Sequence, residues 1–149
     1  MNIVSSYKPS PHFQLPTPEQ EHDLESSGLL ILAADRFREE ARDALMTTPA
    51  TRESFEMSRV LTAACKAAER AAARAYEGAG FPVEILEFTP SETMDRYAPH
   101  LPAALEHVTT EYKAALSSVG RGGLIDASIL DATRKALQHE IAAVNGVKP

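Results

Sequence analysis

The chain has 149 residues, a length that suits one domain, with one cysteine, no tryptophan and a net charge of −6. A single thiol excludes an internal disulfide and a cysteine-built zinc site, and the acidic balance argues against nucleic-acid binding, which rests on neutralising phosphates. No run approaches the ~18 apolar residues of a membrane span, since "GLLILAA" at 28–34 stops at Asp35-Arg36.

Alanine supplies 24 residues, against 32 for Leu, Ile, Val and Phe together. This composition predicts an all-α helical bundle whose helices pack closely through small side chains. Four main helices and one short one are expected within a single helical domain over 17–146, with one short extended segment near 83–88.

Residues 1–16, "MNIVSSYKPSPHFQLP", hold no Asp or Glu and are rich in Ser and Pro. They read as a flexible amino-terminal tail. A serine-rich, acid-poor start is also similar to the export signals of bacterial type III effectors. It lacks the basic flank and apolar core of a secretory signal.

Three Thr-Pro pairs then predict helix starts, in "TPEQ" at 17–20, "TPAT" at 48–51 and "TPSE" at 89–92. In each, the threonine oxygen would accept an orphan N–H, and proline would fill the first helical position, where no N–H is needed. Gln20 and Glu92 would complete capping boxes. The first helix is expected from Thr17 toward Met46, with Leu30, Ala34, Phe37, Ala41 and Leu45 inward and "SSG" at 26–28 bending or dividing it.

The second helix is expected from Pro49 to about Glu77, ended by Gly78 and Gly80. Phe55, Val60, Ala64, Ala67, Ala68, Ala71 and Ala75 form its apolar side. Beside them run Arg52, Arg59, Lys66, Arg70 and Arg74, at spacings of seven and four. The plainer reading of this basic row is a solvated face paired with the acidic first helix; the sharper one is a docking surface for an acidic protein.

"FPVEILEFTP" at 81–90 is strand-like in composition. It can pair with Ile3-Val4, pair with another chain, or serve as a connector that buries Val83, Ile85 and Phe88. The connector is favoured, because an isolated pair of strands is marginal in water. "SETMDRYA" then reads as the short helix, ended by Pro99. Pro102 opens a third long helix with Leu105, Val108, Tyr112, Ala115, Leu116 and Val119 inward. "GRGG" at 120–123 breaks it. The last helix runs from about Asp126 to Val144, with Ile129, Leu130, Thr133, Leu137, Ile141 and Val144 as its stripe and Asn145-Gly146 as its stop.

Chemistry is sparse. Glu19 and His22 have the E-x-x-H spacing of di-iron bundles, but no second copy follows, and neither H-E-x-x-H nor G-x-S-x-G occurs. His107 and His139 lack the H-x-x-K-G signature of histidine phosphotransfer proteins. No metal, cofactor or catalytic residue is assigned. His107 and Glu111 lie one turn apart on one helix, with Tyr112 beside them, and mark the alternative of an enzyme with an unconventional helical site. Gly120, Arg121, Gly122 and Gly123 are a candidate anion-binding turn. DNA readout by a helix-turn-helix is disfavoured by a long connection and few bases on the last helix.

The sequence therefore points to a small intracellular protein-interaction module, an adaptor, an inhibitor or a secreted effector, that works by surface complementarity without catalysis. The candidate contact residues are Arg52, Arg59, Lys66, Arg70 and Arg74, and the expected partner is another protein, acidic at the contact. A structural subunit of a homo-oligomer is the third reading. The lone cysteine favours a reducing, cytoplasmic setting, and ten Arg against five Lys fits a bacterial or phage gene.

Overall fold

A computed structural model describes residues 17–47, 49–118 and 121–146 of the chain. It contains four α-helices: α1 (Pro18–Leu45), α2 (Arg52–Gly78), α3 (Leu101–Ser117) and α4 (Arg121–Val144). Single 3-10 turns at Val83–Ile85 and Ala98–His100 lie between α2 and α3, and no strand occurs among the described residues. The all-α bundle read from composition and periodicity is the fold observed. Among the described residues, no helix is long and apolar enough to cross a membrane.

Local chemistry explains most of the ends. Thr17 caps α1 as expected, with its hydroxyl accepting from Gln20 N and the Gln20 side chain returning to the Thr17 N–H. The helix runs unbroken through Ser26-Ser27-Gly28, because the Ser27 hydroxyl turns back onto the Leu24 carbonyl and its side chain is buried. α2 is capped by Thr51 with Ser54, so it starts three residues later than a Pro49 start would place it. Its other end is a Schellman turn. There Phe81 N bonds Tyr76 O, Gly80 N bonds Glu77 O, and Gly80 takes φ +87°, where a side chain would be strained. The Tyr76 and Phe81 rings close that turn with centroids 5.4 Å apart.

α1 and α2 form an antiparallel pair, with Asp23 beside Gly78, Arg38 beside Glu69 and Ala41 beside Ser58. Alanine makes the close approach possible: Ala33, Ala34, Ala63, Ala64, Ala67, Ala68 and Ala72 are essentially without exposure. At Ala41 the helices come so near that the Ser58 hydroxyl reaches its backbone carbonyl at 3.0 Å. Phe37, Leu101, Val108, Leu130 and Leu137 complete one shared core.

Several expectations need correction. "TPSE" at 89–92 starts no helix, and the short helix is reduced to the 3-10 turn at Ala98–His100, because Pro99 follows too closely for further turns. The 83–88 segment connects α2 toward α3 with Val83 and Phe88 half-buried, but a 3-10 turn at Val83–Ile85 replaces the expected extended backbone, Ile85 is exposed, and Leu86 takes its place among the half-buried residues. Leu45, Phe55, Leu116 and Val144 lie at or near helix ends and are exposed rather than inward. α4 begins at Arg121 rather than Asp126, so Gly122 and Gly123 form part of its first turn. The Ile3-Val4 pairing, the tail at 1–16, Thr48 and Val119 lie outside the described residues.

Candidate functional site

The basic row of α2 divides into two groups. Lys66, Arg70 and Arg74 point toward buried carboxylates. Lys66 Nζ lies 3.1 Å from Oε1 of Glu69 on its own helix, and Arg70 Nε and Arg74 NH1 lie 2.9 and 3.3 Å from Oε1 of Glu140 on α4. Glu69 and Glu140 have only 2% of their side-chain surface exposed. The acidic first helix is therefore not the partner of these three bases. Arg38 of α1 joins from the opposite direction, 3.2 Å from Glu69 Oε2.

Two of these arginines also hold the connector. Arg70 NH1 donates to the carbonyls of Ser91 and Glu92, each at 2.7 Å. The Arg38 guanidinium lies 5.9 Å from the centre of the Phe88 ring. A segment with only short 3-10 turns of its own thus meets part of its hydrogen-bonding need through side chains that already neutralise buried acids.

Cys65 lies within this network, its Sγ 3.8 Å from Glu69 Oε1. Burial first, and the Glu69 charge second, push its thiol up to about 11. At pH 8 the folded protein therefore holds almost no thiolate, the species that reacts. Alkylation with iodoacetamide is expected to proceed only as fast as the protein unfolds and to become rapid in denaturant. Fast labelling of the native protein would contradict that placement.

Arg52 and Arg59 form the second group and face solvent. Arg52 has no ion pair among the described residues, and Arg59 meets only Glu56 on its own helix, 3.4 Å away with both side chains more than half exposed. Phe55, 50% exposed, shares their side of the helix, whereas Met57, 39% exposed, is turned away from it beside Glu53 and Val60. Arg59 also edges a shallow groove with Ser58, Thr62, Arg96, Tyr97 and His100.

A third cluster joins α1 to α3. His107 Nε2 is 3.1 Å from Glu111 Oε1, the pair anticipated from the sequence. Two residues that spacing alone did not reveal complete it: Arg36, 3.2 Å from Glu111 Oε2 and 3.4 Å from Glu40 Oε1, and Glu40 itself. Asp126 of α4 approaches Arg36 at 3.7 Å. Contact with Glu111 raises the His107 pKa above its ordinary value, and contact with His107 lowers that of Glu111. Burial, then the neighbouring Glu111 charge, raises that of Glu40. Tyr112 does not belong to this group; its ring lies under the Arg134 guanidinium, 4.9 Å away.

No protein-family model matches the chain, and no curated protein or solved structure is significantly similar to it. Function therefore rests on these side chains alone.

The remaining candidates stay apart. Glu19 and His22 share α1, and no third ligand joins them among the described residues. Gly120 lies outside the described residues, while Arg121, Gly122 and Gly123 have helical backbone.

Proposed function

We propose that the protein is an interaction module that binds an acidic segment of another protein through the amino-terminal half of α2. One observation carries this reading: of the five bases in the row, three are tied to buried carboxylates while Arg52 and Arg59 face outward on the same side of α2 as exposed Phe55. Arg and aromatic side chains are among the types enriched at interface centres. Exposed Arg96 adds a third positive charge at the groove beside Arg59. Glu53 and Glu56 border the patch on its other edge, which would set the orientation of a charged partner. The narrower reading as an exported effector draws only on residues 1–16.

The test is a charge reversal that leaves the fold intact. The Arg52→Glu, Arg59→Glu double variant is expected to unfold like the wild type, since exposed pairs contribute at most about 1 kcal/mol. Used as bait in a lysate of the source cells at low salt, it is expected to lose a stoichiometric partner that the wild type retains. The wild-type complex should weaken at moderate salt. An unchanged set of captured proteins would refute the assignment. A mass that rises with protein concentration and falls on reversal would instead identify the partner as a second copy of this chain.

A further inference from the structure

We propose that Glu40, His107 and Glu111 form a binding site for a divalent first-row transition ion of the zinc type, held by one imidazole nitrogen and two carboxylate oxygens. Among the described residues this is the one group of three whose ligand atoms converge, all lying within 4.8 Å of one another. A tetrahedral ion with bonds near 2.1 Å separates its ligand atoms by about 3.4 Å. Small side-chain rotations therefore close the site. Two ligands stand one turn apart on α3, and the third reaches them from α1.

The charge balance leaves room for a cation. Glu40, Glu111 and Asp126 contribute three negative charges against the one positive charge of Arg36. With His107 neutral, as a metal ligand must be, two negative charges remain, and a divalent ion cancels them. Arg36 also orients the site. By holding Glu111 Oε2 it leaves Oε1 facing His107, the role that outer partners of metal ligands play.

The imidazole geometry supports the same reading. His107 Nε2 is buried and without a hydrogen-bond partner, although Glu111 Oε1 is 3.1 Å away, because the ring N–H does not aim at that oxygen. An ion about 2.1 Å from both atoms sits about 40° off the line joining them, so a nitrogen that misses its neighbour as a donor can still share a metal with it. The nitrogen ligand favours zinc-type ions over magnesium and calcium, which take oxygen. The Glu111 and Glu40 side chains keep 30% and 34% of their surface exposed, so the buried His107 nitrogen would be reached from the carboxylate side, where water can take the ion's fourth position.

The test uses the full-length protein stripped with a chelator, titrated calorimetrically with Zn²⁺ and spectroscopically with Co²⁺. One saturable site per chain is expected, with visible Co²⁺ absorption of a low-coordinate nitrogen–oxygen set and no comparable binding of Mg²⁺. His107→Gln and Glu40→Gln should each weaken Zn²⁺ binding at least about tenfold, while His139→Gln leaves it unchanged. Circular dichroism checks that each variant is folded, and Glu40→Asp stands in if Glu40→Gln is not. Absence of a one-to-one site, or equal affinity in the wild type and in the Glu40 and His107 variants, would overturn the proposal and leave the cluster an ion-pair network centred on Arg36.

Discussion

Replacing Arg70 by Met is expected to destabilise the protein by about 3 kcal/mol, whereas replacing its partner Glu140 by Met costs about 1 kcal/mol or less. The asymmetry follows from burial. The Glu140 side chain is 2% exposed, while Arg70 and Arg74 are 23% and 40% exposed. Without Arg70, the carboxylate stays in the interior with only Arg74 at 3.3 Å, and the Ser91 and Glu92 carbonyls lose their donor. Without Glu140, both guanidinium groups still reach water and Arg70 keeps its two carbonyls. At about 2–4 °C per kcal/mol for a chain of this size, the midpoint should fall by roughly 6–12 °C in Arg70→Met and by less than about 4 °C in Glu140→Met. Urea and thermal unfolding measure both. Residues 81–97 should also be cleaved faster by protease in Arg70→Met alone. Equal losses in the two variants would mean that the buried carboxylate is not the costly partner.

The same network shows what the sequence could and could not convey. Helix grammar is local, so the Thr17 cap with Gln20, the end at Gly78–Gly80 and the Leu30, Ala34, Phe37, Ala41 stripe are legible from neighbours in the chain. The 89–92 start failed because the same local signal also suits a turn, and nothing after it was long enough to sustain a helix before Pro99 and Pro102. Likewise, the spacing of Lys66, Arg70 and Arg74 shows a face but not what meets it. Glu140 lies far along the chain from Arg70, on a helix whose register against α2 only tertiary packing sets. Nothing in the sequence marks Glu69 and Glu140 as buried, because acids are almost never buried unless paired, and the pairing is the non-local part.

The cluster at His107 was half legible for the same reason. Glu111 stands one turn from His107, a distance that helix geometry fixes. Glu40 and Arg36 arrive from α1, and no pattern within α3 announces them. Tyr112 adjoins Glu111 in sequence, but consecutive helical residues point about 100° apart, and its ring faces Arg134 instead. Adjacency along a helix is thus poor evidence of a shared site, whereas a separation of three or four residues is good evidence of one.

Phe37→Ala is expected to cost about 4–5 kcal/mol, at the upper end for such a truncation, and to lower the midpoint by roughly 10 °C or more. Phe37 heads the fully buried side chains by volume, and much of the core around it is alanine. The cost of a cavity depends on how far the neighbours can collapse into it. Leucine or methionine can rotate into a void; alanine has no rotatable side chain to contribute. The helices cannot close in either, because α1 and α2 already meet at backbone range, with the Ser58 hydroxyl 3.0 Å from the Ala41 carbonyl. Phe37→Leu keeps much of the volume and should cost less than about 2 kcal/mol. A rigid apolar cavity also binds small apolar molecules, so benzene should raise the midpoint of Phe37→Ala and leave the wild type unchanged. A loss below about 2 kcal/mol without a benzene shift would mean that the helices move inward to fill the space. Close contact through alanine would then be a preference of this bundle rather than the rigid frame on which its ion pairs and surface patch are positioned.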